Sequence, residues 1–174
     1  MKASSYANRG VAFEELVELA NNQYRNKGIA VIHKVPSKWI PIRNNKGKVV
    51  TAKIDEKASV DFIGRYGNKP VAFDAKSISK DNRWYFRLMP EHQVEFLRDW
   101  NIEGSLSFVL LGFWKTEEFF AVPFEFFDER RNDWLNGGKA SLTLKELREL
   151  FPTIKINTKR GIVLDYLRVL GKQS

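Results

Sequence analysis

Cysteine is absent from the 174-residue chain, and histidine occurs only twice, as His33 and His92. The first absence excludes a disulfide framework and thiolate-bound zinc. The second leaves little material for a histidine metal centre or a Ser-His-Asp triad. No run of about 18 uncharged apolar residues exists, so no segment reads as a membrane-spanning helix. The opening MKASSYANRG lacks the apolar stretch of a signal peptide, which points to an intracellular protein. Internal repeats, low-complexity tracts and Pro/Gly/Ser linkers are also missing, so one domain is expected over 1–174. Acids are the minority charge, 21 against 29 Lys and Arg, for a net charge of +8. Such an excess favours a polyanionic partner, because phosphate contacts release counterions and supply affinity without reading sequence.

The basic residues are not evenly spread. Seven Lys or Arg fall between Lys34 and Lys57 against two acids, Asp55 and Glu56. Further basic spots lie at NRG (8–10), around Arg83 and Arg87, and at TKRG (158–161). The candidate contacts to such a polyanion are Arg9, Lys34, Lys38, Arg43, Lys46, Lys48 and Arg87, with His92 facing the same kind of partner.

Helical spacing of Phe13, Leu16, Val17, Ala20 and Tyr24 predicts a helix from Arg9 to Asn26, stopped by Gly28. IAVIHK (29–34) reads as a strand. Residues 35–58 hold two prolines, Asn44-Asn45 and Gly47, with weak strand signals near 39–42 and 48–54; they read as a basic two-stranded arm leaving the core. ASVDFIGRY (58–66) and PVAFDAKSI (70–78) form a hairpin around GNK. A second amphipathic helix covers 90–101, with Pro90 in its first turn. SLSFVLLGFW (105–114) is a buried strand partnered by EEFFAVP (117–123), and short helices follow near 123–134 and 143–151. The fold class is α/β, a small mixed sheet flanked by helices.

VAFDAKSI (71–78) raises the chemical question. Val71, Phe73 and Ala75 occupy one strand face, so Asp74 and Lys76 share the other. Asp61, on the partner strand of the hairpin, can come level with Asp74. Two adjacent carboxylates repel unless a cation lies between them, and Mg²⁺ accepts one or two carboxylates while keeping positions for water and phosphate. A neighbouring lysine can orient water or neutralise developing charge. As a tripeptide, Asp-x-Lys describes a surface ion pair on an edge strand more often than a site. On the first helix, Glu14 lies on the flank of the buried stripe and Glu15 faces solvent. An ordinary surface glutamate would have the same pattern as Glu14. Gln93 interrupts the apolar stripe of Met89, Phe96, Leu97 and Trp100. As a buried amide it needs partners, either local ones or the lysine and carboxylates of a site.

Glu14, SVD (59–61) and FDAK (73–76) together resemble the core of the PD-(D/E)XK nucleases. NRG followed by Glu14, IAVIHK and EHQ (91–93) narrow the resemblance to the RecU group of Holliday junction resolvases, over roughly 8–170. That resemblance implies a restriction-endonuclease-like core with a protruding stalk at 35–58. It also implies a homodimer, a four-way DNA junction as substrate, and phosphodiester hydrolysis with Mg²⁺ or Mn²⁺. By position, Glu14, Asp61 and Asp74 become the acidic, metal-binding residues, Lys76 the catalytic lysine and Gln93 a supporting residue. A helicase or recombinase partner is compatible with it, as is a bacterial or phage cytoplasm. Two positions depart from the pattern: Asp74 stands where many such nucleases have Glu, and Val60 where the superfamily often has Pro. The alternatives are a nuclease of the same chemistry acting on duplex DNA, and a non-catalytic basic DNA-binding module.

Overall fold

The computed structural model describes residues 4–46, 48–56, 58–157, 159 and 161–170, with side chains described for all of these except 4–9, 38–41 and 49–56. Helix α1 spans Ser4–Asn26, five residues earlier than the apolar stripe alone predicts. Among the residues whose side chains are described, Phe13 is the first buried one, and it opens the apolar stripe. Gly28 takes a positive φ of 67° and ends the helix as expected.

Five strands make the central sheet: β1 (Ala30–Lys34), β4 (Phe62–Tyr66), β5 (Lys69–Ile78), β7 (Leu106–Phe113) and β8 (Glu118–Pro123), in the order β1-β4-β5-β7-β8. Only β5 and β7 run parallel; the other pairs are antiparallel. The parallel step requires a crossover, and α2 (Glu91–Trp100) provides it. The strands β2 (Lys38–Arg43) and β3 (Val49–Glu56) pair antiparallel in a separate two-stranded sheet, matching the expected arm. Asn44 shapes its turn, its Oδ1 accepting from the backbone N–H groups of Lys46 and Lys48, each at 3.0 Å. A second small sheet was not foreseen: β6 (Arg83–Tyr85) pairs with β9 (Ser141–Thr143). Helices α3 (Phe124–Leu135), α4 (Leu144–Leu150) and α5 (Leu167–Leu170) complete the element order.

The sheet is covered on both faces, so its central strands read as continuous apolar runs rather than alternating ones. On one face, Phe13, Val17, Ala20 and Tyr24 of α1 pack over Val71, Phe73 and Phe108. Phe62, Phe73 and Phe108 stack across β4, β5 and β7, with centroids 4.9 and 4.5 Å apart. On the other face, Val94 and Leu97 of α2 and Phe124 and Phe127 of α3 cover Ala72, Val109 and Leu111. Gly64 in β4 lets β1 come close: a Cβ there would lie 2.1 Å from the Val31 carbonyl oxygen.

Candidate active site

The strand β5 is central, between β4 and β7, and Asp74 on it is completely buried. The edge-strand ion pair expected from Asp-x-Lys alone is therefore excluded. Alternation along β5 turns Asp74 and Lys76 toward α2, opposite the α1 face that holds Val71, Phe73 and Ala75. The Lys76 ammonium lies 2.5 Å from Asp74 Oδ2 and donates to Gln93 Oε1 at 2.9 Å. Gln93 is the polar residue that breaks the apolar stripe of α2, and it is buried beside Val94 and Leu97. Its amide thus finds the partner that its burial demands, and that partner is the strand lysine.

Asp61 precedes β4 rather than lying within it, because that strand begins at Phe62. The expected strand over 58–66 is shortened at this end. The backbone bends at 59–61, and the Val35 N–H donates to the Asp61 carbonyl at 2.8 Å. The register Phe62↔Phe73 nevertheless brings Asp61 level with Asp74. Asp61 Oδ2 accepts from the Ala75 N–H at 2.9 Å, which fixes the carboxylate against β5.

Burial pushes the Asp74 carboxyl up to about 7. The Lys76 charge pulls it back down, and the Asp61 carboxylate adds to the upward push. Neither Asp74 oxygen has a hydrogen bond of good geometry, although both are buried. A buried carboxylate short of well-formed hydrogen bonds, with one oxygen in contact with a lysine and a second carboxylate beside it, is what a hard divalent cation would satisfy. The donor set is all oxygen, suited to Mg²⁺ or Mn²⁺ and unsuited to softer metals. Among the described residues, no group of three or more His, Cys, Asp or Glu side chains is gathered closely enough to hold a metal. Two carboxylates would leave the remaining positions to water and phosphate.

Glu14 is half-buried on the α1 face, and Glu15 is exposed, as the helix phase predicts. Glu14 is not gathered with the two aspartates. Its Oε2 binds Lys34 Nζ at 2.8 Å, and Glu18 Oε1 reaches the same ammonium at 3.1 Å. The residues Lys34, Phe62 and Phe73 share one row across the sheet, next to the row of Asp61 and Asp74. The ion pair therefore sits at the same end of the sheet but on its other face. This contact raises the Lys34 pKa, chiefly through the hydrogen bond to Glu14, and it occupies a lysine expected to meet DNA. Sequence reasoning missed the pairing, though Lys34 at the end of an alternating strand was a signal that it faces the helix.

Of the other candidate DNA contacts, Arg43, Lys46 and Lys48 are exposed at the arm's turn, and His92 is exposed on α2. Arg87 is exposed, with its guanidinium 5.2 Å from the Tyr85 ring centroid. The side chains of Arg9 and Lys38 lie outside the described residues. No helix among the described residues is long and apolar enough to cross a membrane.

Comparison with known proteins accounts for nearly the whole chain. Residues 8–172 match the family model described as Recombination protein U. A Holliday junction resolvase RecU of Lactobacillus delbrueckii subsp. bulgaricus is 27% identical over 155 residues, covering 84% of this chain and 72% of its own. The protein of that name in Oenococcus oeni is 28% identical over 172 residues, covering 96% and 86%. That of Ligilactobacillus salivarius is 32% identical over 137 residues, covering 72% and 63%.

Proposed function

The chain belongs to the RecU family, and from that premise we propose that it is a divalent-metal-dependent endodeoxyribonuclease that resolves four-way DNA junctions during recombination. The observation that carries the chemistry is the buried Asp74, its Oδ2 met by the Lys76 ammonium at 2.5 Å and its carboxyl close enough to the Asp61 carboxylate to feel its charge. Asp61 and Asp74 are the residues that would hold Mg²⁺ or Mn²⁺. When bound, the ion supplies Lewis acidity toward a phosphate oxygen and a lowered pKa for water.

The chain's own residues do the rest. Asp61 is locked to the Ala75 N–H, so its carboxylate needs no reorganisation when substrate arrives. Lys76, gripped by Asp74 and Gln93, holds a cationic donor where charge builds on the phosphate as water attacks and the sugar oxygen departs. Glu14 acts from the neighbouring row by fixing Lys34. The basic arm, with Arg43, Lys46 and Lys48 exposed at its turn, supplies junction contacts that the catalytic sheet lacks. A homodimer places two such sites on one junction, one for each strand cut, and the cytoplasm is where it meets this substrate.

The test is cleavage of an end-labelled four-way junction and of a matched linear duplex, with Mg²⁺ or Mn²⁺, by wild type and Asp74→Asn. The expected result is junction cleavage by wild type as a complex of two chains per junction. Asp74→Asn should lose cleavage by orders of magnitude while binding persists, because a negative charge near phosphate has been removed. Full cleavage by Asp74→Asn overturns the site. Equal cutting of duplex favours the duplex nuclease, and binding without cutting by wild type favours the non-catalytic module.

A further inference from the structure

Beyond the acidic centre, β5 runs out into a second feature. The turn after Ile78 and the strand β6 enclose a cavity of about 320 Å³, lined among others by Ser77, Ile78, Asp81, Arg83, Tyr85 and Leu88. It adjoins a more polar cavity of about 510 Å³ that shares Asp81, Arg83 and Tyr85 and adds Lys115. Tyr85 is half-buried, and its ring has two guanidinium groups close by, Arg87 at 5.2 Å and Arg83 at 6.0 Å. Leu88, 51% exposed, supplies an apolar wall. Among the described residues, neither Arg83, Arg87 nor Lys115 makes a salt bridge; Lys115 donates instead to the Lys80 carbonyl at 2.7 Å. Asp81 is the one acid lining either cavity.

An apolar slot with an aromatic wall, two guanidinium groups near that ring and more cations than acids is a poor place for a protein side chain and a good one for a nucleotide. The base gains stacking against tyrosine and arginine, and its phosphates meet the cations. Position sharpens the argument. Ile78 lies two residues past Lys76, about 7 Å along the same strand, so the cavity is within reach of a nucleotide close to the phosphate held at Lys76. We propose that the Tyr85 cavity is a subsite for an unpaired nucleotide of the cleaved strand, close to the scissile phosphate, with its base stacked on the Tyr85 ring and the Arg87 guanidinium at that ring's edge of the cavity. A strand continuing as duplex could not insert a base there. The subsite therefore rewards substrates that unstack near the cut, as the strands at a branch point do. This inference rests on the reading of the chain as a DNA-cutting enzyme.

The test is binding, without metal, of the full chain to a short oligothymidine and to a blunt duplex of equal length. Tyr85→Leu, which keeps apolar volume and loses the ring, should weaken single-strand binding about tenfold, and Tyr85→Phe should restore it. Duplex affinity should change by less than about twofold. Arg87→Gln should weaken single-strand binding in the same direction and leaves the β6–β9 pairing intact, so the test survives if Tyr85→Leu fails to fold. An oligonucleotide carrying one 2-aminopurine should also lose fluorescence on wild type and keep it on the variants. Equal losses on both DNAs, or no loss on either, overturn the subsite. Failure of the nuclease reading would show instead as absent cleavage by wild type, which these binding measurements do not involve.

Discussion

Replacing Gln93 with Leu separates positioning from folding at the candidate site. Among the described residues, Lys76 has two polar contacts, Asp74 at 2.5 Å and Gln93 at 2.9 Å, and its side chain is 21% accessible. A hydrogen bond to a charged group contributes about 1.5–3 kcal/mol, but partial access to water returns part of that when the acceptor is removed. The Leu side chain meanwhile adds apolar burial beside Val94 and Leu97, where the stripe of α2 expects it. The two effects nearly cancel, so the midpoint of thermal unfolding should move by no more than about 4 °C, equivalent to about 1 kcal/mol. Catalysis has no such compensation. With one tether gone the ammonium swings about Asp74, and a misplacement of about 1 Å can cost about 100-fold in rate. Single-turnover cleavage of a labelled junction at saturating Mg²⁺ should therefore slow by about 10- to 100-fold, with the dissociation constant for the junction unchanged. Gln93→Glu, which retains an acceptor oxygen, should keep more activity than Gln93→Leu. A Gln93→Leu protein that cleaves within about threefold of wild type would refute the reasoning, as would a rate loss matched by lost folding.

Gly64→Ala should destabilise the sheet. The new Cβ would sit 2.1 Å from the Val31 oxygen and 2.6 Å from the Ile32 Cα, both backbone atoms that cannot yield. A cost of about 3 kcal/mol implies a melting midpoint roughly 6–12 °C lower, and an unchanged midpoint would deny the close approach of β1. At the start of α4, Thr143 Oγ1 accepts from the Glu146 N–H at 3.2 Å, and Glu146 Oε2 accepts from the Thr143 N–H at 2.8 Å. Thr143→Ala should cost about 1 kcal/mol in chemical denaturation. Lys139 first, then Thr143, hold the Glu146 carboxyl down from its ordinary 4.5 to about 2. The depressed value means this stabilisation is complete above about pH 4.5 and fades as pH falls toward 2; Glu146→Gln should flatten that limb of the stability profile.

Much of the architecture was legible because local pattern determined it. The helical stripe of α1, the hairpin around 67–69 and the apolar runs of β7 and β8 each lie within a short window, as does the arm's weak alternation. What stayed hidden depends on contacts across long separations. The place of β5 in the sheet follows from its parallel pairing with β7, more than thirty residues on, so the same eight residues read equally well as an edge strand. The β6–β9 pairing joins two three-residue strands almost sixty residues apart, too short to carry a period. Tyr24 donates to Asp165 at 2.9 Å and accepts from the Leu167 N–H, and Tyr166 bonds to Asn21, so α1 is tied to the chain's far end through polar groups inside an apolar stripe. At the site, Asp74, Lys76 and Gln93 could be named from sequence, but the ion pair that joins Glu14 to Lys34 required knowing that β1 ends beneath α1.

The position of Asp74 bears on why these residues are there at all. A carboxylate in the middle strand of a five-stranded sheet, with no hydrogen-bond donor of good geometry, carries a desolvation cost that one lysine contact offsets only in part. A hydrophobic residue of similar size at 74, with another at 76, would pack against α2 and leave the sheet at least as stable. Stability therefore does not account for the pair. Structural salt bridges elsewhere in the chain look different. Arg148 grips both oxygens of Glu118 at 3.1 and 2.6 Å, and this contact lowers the carboxyl's pKa, the normal outcome for an ion pair that serves the fold. At Asp74 the balance runs the other way: burial outweighs its lysine and raises the pKa to about 7. A carboxylate whose environment opposes its own charge, next to a second carboxylate and a lysine set in place by a buried amide, is what the proposed divalent-cation site requires. That inversion, rather than the Asp-x-Lys tripeptide, distinguishes the site from the Arg148–Glu118 and Lys139–Glu146 pairs.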